Sequence, residues 1–360
     1  MKIFKTMEKY DYEQLVYFQD KETGLKGIIC IHDTTLGPAL GGTRIWNYKN
    51  EDDATMDVLR LARGMTYKNA AAGLNLGGGK TVLIGDADKV KSEAYFRSFG
   101  RYVESLNGRY ITAEDVNTTT KDMSFINMET DHVVGLEGKS GNPSPITALG
   151  AFHGIKAALK HRFDCDDISK YTYAVQGVGQ TGGYLIDYLY EAGATKIYYA
   201  EINPRNIKKM QEKYPKAILV EPDDIYSQEV DVFVPCALGG ILNDKTIPVI
   251  KAQIVAGTAN NVLSNEKKHD QMLKDANILY APDFVINAGG VINVYHEIHG
   301  YNKEVVIKDI EKIYDRLMEI FKIAKEKNIP TQKAANIFAE QRIKKIHNIH
   351  KTYLPKWIKK

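Results

Sequence analysis

The sequence predicts an α/β protein of two domains: a mixed α/β N-terminal domain, then a doubly wound parallel sheet, with helices at the C-terminus. Three observations predict this class. At 360 residues the chain is too long for one comfortable core. Beyond Tyr171, short apolar runs alternate with amphipathic runs of helical length, which is the rhythm of βαβ units. The first of those runs leads into Gly177-Val178-Gly179-Gln180-Thr181-Gly182, the glycine-rich turn of a Rossmann-type sheet.

In the first domain, residues 14–19 and 26–32 are apolar-rich and flank Glu22-Thr23-Gly24, which predicts a hairpin. Asp52-Asp53 opens a helix in which Met56, Leu59 and Leu61 recur near helical spacing. Residues 81–84 read as a short buried strand closed by Gly85. Residues 92–106 read as a helix with Tyr95, Phe99, Tyr102 and Val103 on one stripe. A strand over 109–113 then ends at Glu114-Asp115. The glycine-, serine- and proline-rich segment 134–145 carries the domain boundary, so residues 1–134 form the first domain and 135–330 the second.

In the second domain, strands are expected over 171–176, 196–201, 230–235, 252–256 and 278–281. Helices are expected over 180–191 and over 204–213, the latter capped by Asn203. Ile310, Ile313, Leu317, Ile320, Phe321 and Ala324 form the apolar stripe of a later helix. Pro330 separates it from a last helix, from Thr331 to about His350, within a segment 331–360 expected to pack back on the first domain. Two domains joined near 134–145 imply a cleft that closes on its substrate and expels water.

Bulk properties narrow the function classes. A net charge of +3 gives no electrostatic case for nucleic acid or a membrane surface. Cys30, Cys165 and Cys236 are widely spaced and odd in number, so neither a metal site nor a disulfide framework is expected. The N-terminus lacks the apolar core of a signal peptide, and no apolar run is long enough to span a bilayer. A reducing cytoplasm is the expected setting.

The glycine-rich turn has a consistent chemistry. Gly177 permits the tight turn, Gly179 lets a pyrophosphate meet backbone N–H groups at the helix start, and Gly182 lets helix and strand pack closely. Val178, Gln180 and Thr181 complete the loop. Glu201 follows Gly177 by 24 residues, near the offset of a ribose-binding carboxylate. An acid there favours NAD and repels a 2′-phosphate, although Arg205 nearby is a group that accepts one.

Gly77-Gly78-Gly79-Lys80, with Lys68 upstream, places two ammonium groups where backbone can approach a ligand, which suits a substrate with a carboxylate and a developing alkoxide. A phosphate-binding P-loop is the rival, but the pattern needs glycine where Leu74 stands, and a strand follows the motif where a helix should. Lys68 alone reads equally as a helix-end cation. Asp115 lies at a strand end, where open α/β sheets bind ligands. Beside two lysines it can shuttle protons; its other reading is as N-cap of a helix over 121–127. Glu114 points to the opposite face.

These segments, in this order, resemble the Glu/Leu/Phe/Val dehydrogenase family over nearly the whole chain. The strings that carry it are Gly37-Pro38-Ala39-Leu40-Gly41-Gly42-Thr43-Arg44, Met65-Thr66-Tyr67-Lys68, Gly77-Gly78-Gly79-Lys80, Thr112-Ala113-Glu114-Asp115-Val116, Pro235-Cys236-Ala237 and Asn287-Ala288-Gly289-Gly290-Val291. The family's leucine branch is the most similar. The resemblance implies reversible oxidative deamination of an L-amino acid, with NAD and water, to a 2-oxo acid and ammonia. It implies that Lys68 binds the substrate carboxylate, that Lys80 is the acid/base for the water, and that Asp115 exchanges the amino proton. Burial and a neighbouring Lys68 would depress Lys80.

The resemblance further places Leu40, Gly41, Gly78, Ala113, Val291, Val294 and Asn260 at the substrate, and Thr147, Ala237, Asn260 and Asn287 beside the nicotinamide. Glutamate dehydrogenases carry polar groups at the positions resembling Leu40 and Val294; apolar residues there would leave a γ-carboxylate unpaired. Branched aliphatic substrates are therefore expected, with phenylalanine or tryptophan the rival. Asn117 stands where the leucine branch more often has glycine, and it bears on that choice. A homo-oligomer is implied, often of eight subunits in that branch. His153 and His161 read as structural or solvent histidines. The basic C-terminal run (Arg342, Lys344, Lys345, His347, His350, Lys351, Lys356, Lys359, Lys360) reads as a solvated helix face or an assembly surface, with nucleic-acid binding the non-enzymatic alternative.

Overall fold

The structure, a computed structural model, describes residues 2–349. It divides into two compact units, Met1–Gly141 with Ala339–Lys360, and Asn142–Phe338. His350, Lys351, Lys356, Lys359 and Lys360 of the basic run lie outside the described residues.

The first unit runs α1 (Ile3–Tyr10), β1 (Gln14–Asp20), β2 (Leu25–Asp33), β3 (Ala39–Trp46), α2 (Glu51–Ala71), β4 (Gly77–Ile84), α3 (Ala87–Val90), α4 (Glu93–Glu104), β5 (Tyr110–Glu114) and α5 (Thr120–Asn127). Its sheet has the order β1-β2-β4-β3-β5. The hairpin β1–β2 and the pair β2–β4 are antiparallel, whereas β3 is parallel to both β4 and β5. One core gathers Tyr95, Phe96, Phe99 and Val103 of α4 and Met123 and Ile126 of α5 with Ile29, Leu83 and Tyr110 of the sheet. The other gathers Ala54, Val58, Leu59 and Ala62 of α2 with Ile28, Cys30 and Val82.

Three local expectations change. Asn50 caps α2, its side chain accepting from the Asp53 N–H, so the helix opens one residue before Asp52. Of the three apolar positions expected on α2, Leu59 is buried, beside Ala54, Val58 and Ala62, while Leu61 is half-buried and Met56 is 47% exposed. β4 begins at Gly77, so the glycines are strand, not a loop ahead of one. Glycine has little strand propensity, and only packing explains it here.

The second unit runs α6 (Ser144–Phe163), β6 (Thr172–Gln176), α7 (Gln180–Glu191), β7 (Lys196–Ala200), α8 (Pro204–Lys213), β8 (Ile218–Leu219), β9 (Val232–Pro235), β10 (Ile254–Val255), α9 (Glu266–Asp275), β11 (Leu279–Tyr280), α10 (Asp283–Ile286), α11 (Gly289–Tyr295), α12 (Lys303–Glu311), α13 (Ile313–Lys327) and the start of α14 (Thr331–Ile349). Its sheet, β11-β10-β9-β6-β7-β8, is parallel throughout. The predicted stripe from Ile310 to Ala324 is buried, but it belongs to two helices that break at Lys312. His161 packs its ring on Phe321 and His153 lies beside Phe152, both structural contacts. In the basic run, Arg342 donates to the Leu74 and Gly73 carbonyls and to Asn75, so it ties α14 to the loop after α2.

Candidate active site

In the first unit, strand register decides which side chains share a face. Leu40 pairs with both Gly78 and Ile111, and Gly42 with Ala113. Side chains alternate along a strand. Leu40 and Arg44 on β3, Gly78 and Lys80 on β4, and Ala113 on β5 therefore share one face, the one that α2 covers. A Cβ on Gly78 would overlap the Thr66 backbone of α2, and one on Gly41 would overlap the Gly79 carbonyl. Gly41 and Gly78 thus seat protein against protein, with α2 occupying the side-chain direction of Gly78.

That close seating buries Lys80, which is 5% exposed in mid-strand. Its Nζ lies 3.1 Å from Asp115 Oδ2, and Arg44 Nε donates to the same oxygen at 3.0 Å. Asp115 stands just past β5 with a quarter of its side chain exposed. Its N–H donates to Thr118 Oγ1 (2.8 Å), and that hydroxyl donates to the Thr43 carbonyl (2.9 Å), which pins the turn to β3. Thr119 and Asp122 form the capping box of α5, so Asp115 is not the cap of that helix. Asn117 adopts a left-handed backbone (φ 62°), and its amide donates to the Ile45 carbonyl (3.0 Å). Asparagine tolerates that conformation best after glycine, and its side chain is committed to β3.

The charges follow from this geometry. Burial pushes Lys80 below the ordinary lysine value; Asp115 pulls it back, and Arg44 adds to the downward push. Burial by itself raises Asp115, but Lys80 and Arg44 overcome it and hold the carboxyl at about 2. Arg44 is thus a cation beside Lys80 and Asp115 that the sequence reading did not single out. Arg44 sits inside a quoted string, yet an arginine on a strand carries no signal of its burial. Lys68 is partly buried in the last turn of α2. It lies between Thr66, which meets Gly78, and Asn69, whose amide donates to the Gly77 carbonyl (2.6 Å).

In the second unit, the strand ends of β6, β9 and β10 gather the other candidates. Gly177 has φ 88°, and a Cβ there would press on Ala237 at 2.8 Å. A Cβ on Gly182 would overlap the Gly177 carbonyl, so that glycine lets α7 start against the turn. Around Gly179, at the N-cap of α7, a Cβ would meet nothing within 4 Å. Thr181 Oγ1 and Thr258 Oγ1 are 2.9 Å apart. Gln180 accepts from the Ser144 hydroxyl (3.1 Å). Glu201 accepts from the N–H groups of Val178 (3.0 Å), Ile202 (2.8 Å) and Asn203 (2.9 Å) and from the Asn206 amide (3.2 Å). Burial raises its carboxyl, but these donors win and lower it.

Asn287 donates from Nδ2 to Asn260 Oδ1 (2.8 Å), while its own Oδ1 is buried without a partner among the described residues. Thr147 lies in the first turn of α6, and a Cβ on Gly290 would stand 3.0 Å from its hydroxyl. Val291 and Val294 lie one turn apart on α11.

Residues 12–132 match the family profile described as Glu/Leu/Phe/Val dehydrogenase, dimerisation domain, and residues 196–350 match that of Glutamate/Leucine/Phenylalanine/Valine dehydrogenase. A leucine dehydrogenase of Geobacillus stearothermophilus is 56% identical over 357 residues, 98% of this chain and 96% of that protein. The chain belongs to the Glu/Leu/Phe/Val dehydrogenase family. It is accordingly an amino-acid dehydrogenase. An L-tryptophan dehydrogenase of Nostoc punctiforme is 49% identical over 343 residues, 95% of this chain and 96% of that protein. A crystal structure of L-tryptophan dehydrogenase from Nostoc punctiforme superposes with a TM-score of 0.86 at 47% identity, covering 96% of this chain and 99% of that one.

Membership of this dehydrogenase family implies a nicotinamide cofactor, and the second unit fits one. The open backbone at Gly179 suits a phosphate, and the Glu201 carboxylate suits a ribose hydroxyl. The unpaired Asn287 oxygen suits the N–H of a carboxamide. No helix among the described residues is long and apolar enough to cross a membrane.

Proposed function

We propose that this chain catalyses the reversible NAD-dependent oxidative deamination of L-leucine and other branched aliphatic L-amino acids to 2-oxo acids and ammonia. The observation that carries the reading is the buried Lys80–Asp115 pair on a sheet face whose flanking positions, Leu40 and Ala113, are apolar and buried. A second carboxylate on the substrate would find only apolar side chains at those two positions. The family resemblance counts Val291 and Val294, both apolar, toward the same preference.

A nicotinamide cofactor held by the Gly177–Gly182 turn, Glu201 and Asn287 would supply the acceptor for the hydride of the substrate Cα. Lys68 holds the substrate carboxylate. Both cations meet Asp115 at Oδ2, so Oδ1 is the oxygen that exchanges a proton with the amino group. Lys80, in its neutral form, takes a proton from the water that attacks the imine carbon and returns one as the nitrogen leaves as ammonia. Glu201 favours NAD over a cofactor with a 2′-phosphate. Self-association through the region described in the family as the dimerisation domain, in a homo-oligomer such as an octamer, and a cytoplasmic setting complete the proposal; no nucleic-acid partner is part of it.

The test is formation of reduced nicotinamide against leucine, isoleucine, valine, phenylalanine, tryptophan and glutamate. Activity on the aliphatic three with silence on glutamate is expected. Preference for tryptophan or phenylalanine would keep the chemistry and overturn the aliphatic pocket. Lys80→Ala should lower kcat by roughly a thousandfold or more with NAD binding retained.

A further inference from the structure

Arg44 joins the Lys80–Asp115 pair to a second acidic centre. Its Nε donates to Asp115 Oδ2 at 3.0 Å and its Nη1 to Asp57 Oδ2 at 3.2 Å. The same Asp57 oxygen accepts from the Tyr48 hydroxyl at 2.6 Å, and Arg60 reaches the other oxygen at 2.8 Å. The guanidinium is thus forked between two carboxylates, and one of them is itself anchored by two donors. We propose that Arg44, held by Asp57 and Tyr48, is a positioning residue that fixes Asp115 and supplies the permanent positive charge that Lys80 cannot. This rests on the reading of Lys80 and Asp115 given above.

The physical case has two parts. A guanidinium stays charged throughout the working pH range, whereas a buried ammonium loses its proton readily. Each time Lys80 turns neutral, Asp115 would be left as a carboxylate without a cation, a costly state away from water. Arg44 removes that cost. It also repels the proton on Lys80, so Lys80 reaches its neutral form at lower pH. The surroundings of Lys80 are consistent with this. β3 supplies Arg44, the turn after β5 supplies Asp115, and α2 supplies Asp57 with Arg60 behind it and Lys68 in its last turn. β2 supplies His32, which burial pushes down and whose Nδ1 meets the Thr66 hydroxyl of α2 at 2.7 Å. Two positions before it, β2 supplies Cys30, the register partner of Lys80, whose thiol burial pushes up and so keeps neutral. The Tyr48 phenol is pushed up in the same way.

The deamination rate should rise with pH as Lys80 loses its proton. Removing the Arg44 charge makes that proton harder to lose, so the rise moves to higher pH. In Arg44→Gln the acidic limb of kcat/KM should move up by about one unit or more. Arg44→Lys keeps the charge but not the fork; its limb should return most of the way while kcat stays low. Asp57→Asn removes a neighbouring negative charge and should move the limb the other way, by less. An even loss at all pH values in Arg44→Gln, with the limb in place, would reduce Arg44 to a structural residue and overturn the proposal. If Arg44→Gln does not fold, Arg44→Lys and Asp57→Asn decide: limbs that coincide with the parent overturn it. Competitive acylation of Lys80 across pH, read by peptide mass spectrometry, gives its ionisation without turnover. A shift seen there but absent from the rates upholds the role of Arg44 and overturns that of Lys80 in catalysis.

Discussion

Gly78 of the first unit and Gly179 of the second serve opposite purposes. On β3 and β4, the missing side chains of Gly41 and Gly78 are replaced by protein backbone, so α2 lies hard on the strand that carries the buried Lys80. At the head of α7, the missing side chain of Gly179 is replaced by nothing within 4 Å. The first arrangement produces a buried, perturbed ammonium; the second leaves backbone N–H groups approachable by phosphate. A glycine-rich string therefore says only that a side chain is not tolerated, and the neighbours decide whether the reason is packing or a ligand.

Alanine substitutions break or sharpen this comparison. Gly78→Ala drives a methyl into the Thr66 backbone, which cannot yield without moving α2. It should cost about 3 kcal/mol and lower Tm by roughly 10 °C, with activity lost through displacement of Lys68 and Lys80. Gly179→Ala should leave Tm almost unchanged and raise KM for NAD by roughly tenfold, about 1.4 kcal/mol of binding. Thermal melts of both variants beside cofactor kinetics decide the matter. A Gly179→Ala protein that melts early, or a Gly78→Ala protein as stable as the parent, would mean the two glycine sites are not different in kind.

An effect of similar size is expected at Glu201. Glu201→Gln keeps one acceptor oxygen for the Ile202 and Asn203 N–H groups, which share Oε1, but it loses the Oε2 acceptor of the Val178 N–H and removes the charge. The ratio of kcat/KM for NAD over NADP should fall about tenfold with little change in Tm. An unchanged ratio would mean that the exposed Arg205 sets cofactor choice and the acid does not.

The same contrast explains what was legible in the sequence. Where elements are built by periodicity, they could be read: the stripe of Tyr95, Phe99 and Val103 on α4, the Asn203 cap of α8, the hairpin around Gly24. Where packing overrides propensity, they could not. Gly77 to Gly79 form a strand because Asp33 and Gly37, α2 at Thr66, and Tyr110 crowd them in turn, and nothing local says so. The break at Lys312 lies inside an unbroken apolar stripe, so periodicity carries no mark of it. Lys80 and Asp115 could be nominated from residue type and strand ends, and the structure brings them within 3.1 Å. Arg44 could not, because an ion pair between strands is set by register, and register is invisible in one sequence.

The last comparison, confined to a narrow pH window, sets two aspartates against each other, one in each unit. Asp115 is held at about 2 by two cations. Asp270 on α9 is 3% exposed, and the donors to its carboxylate are the Gln332 (3.2 Å) and Lys333 (3.1 Å) N–H groups. Burial therefore wins and raises it to about 6, with Glu266 adding to the rise. The consequences for stability have opposite signs. Asp115, depressed in the folded chain, contributes stability above the unfolded value that is lost as pH falls toward 2. Asp270, raised in the folded chain, contributes stability that is full below the unfolded value and is lost as pH climbs through about 6; the two-unit shift is worth about 3 kcal/mol. Asp270→Asn should hence gain on the parent steadily between pH 4 and 7, even though it surrenders one acceptor at the start of α14. Denaturation midpoints of the two proteins across that window measure the gain. A constant offset at every pH would show that the N–H groups of α14 stabilise the ionised Asp270 as fully as Lys80 and Arg44 stabilise Asp115.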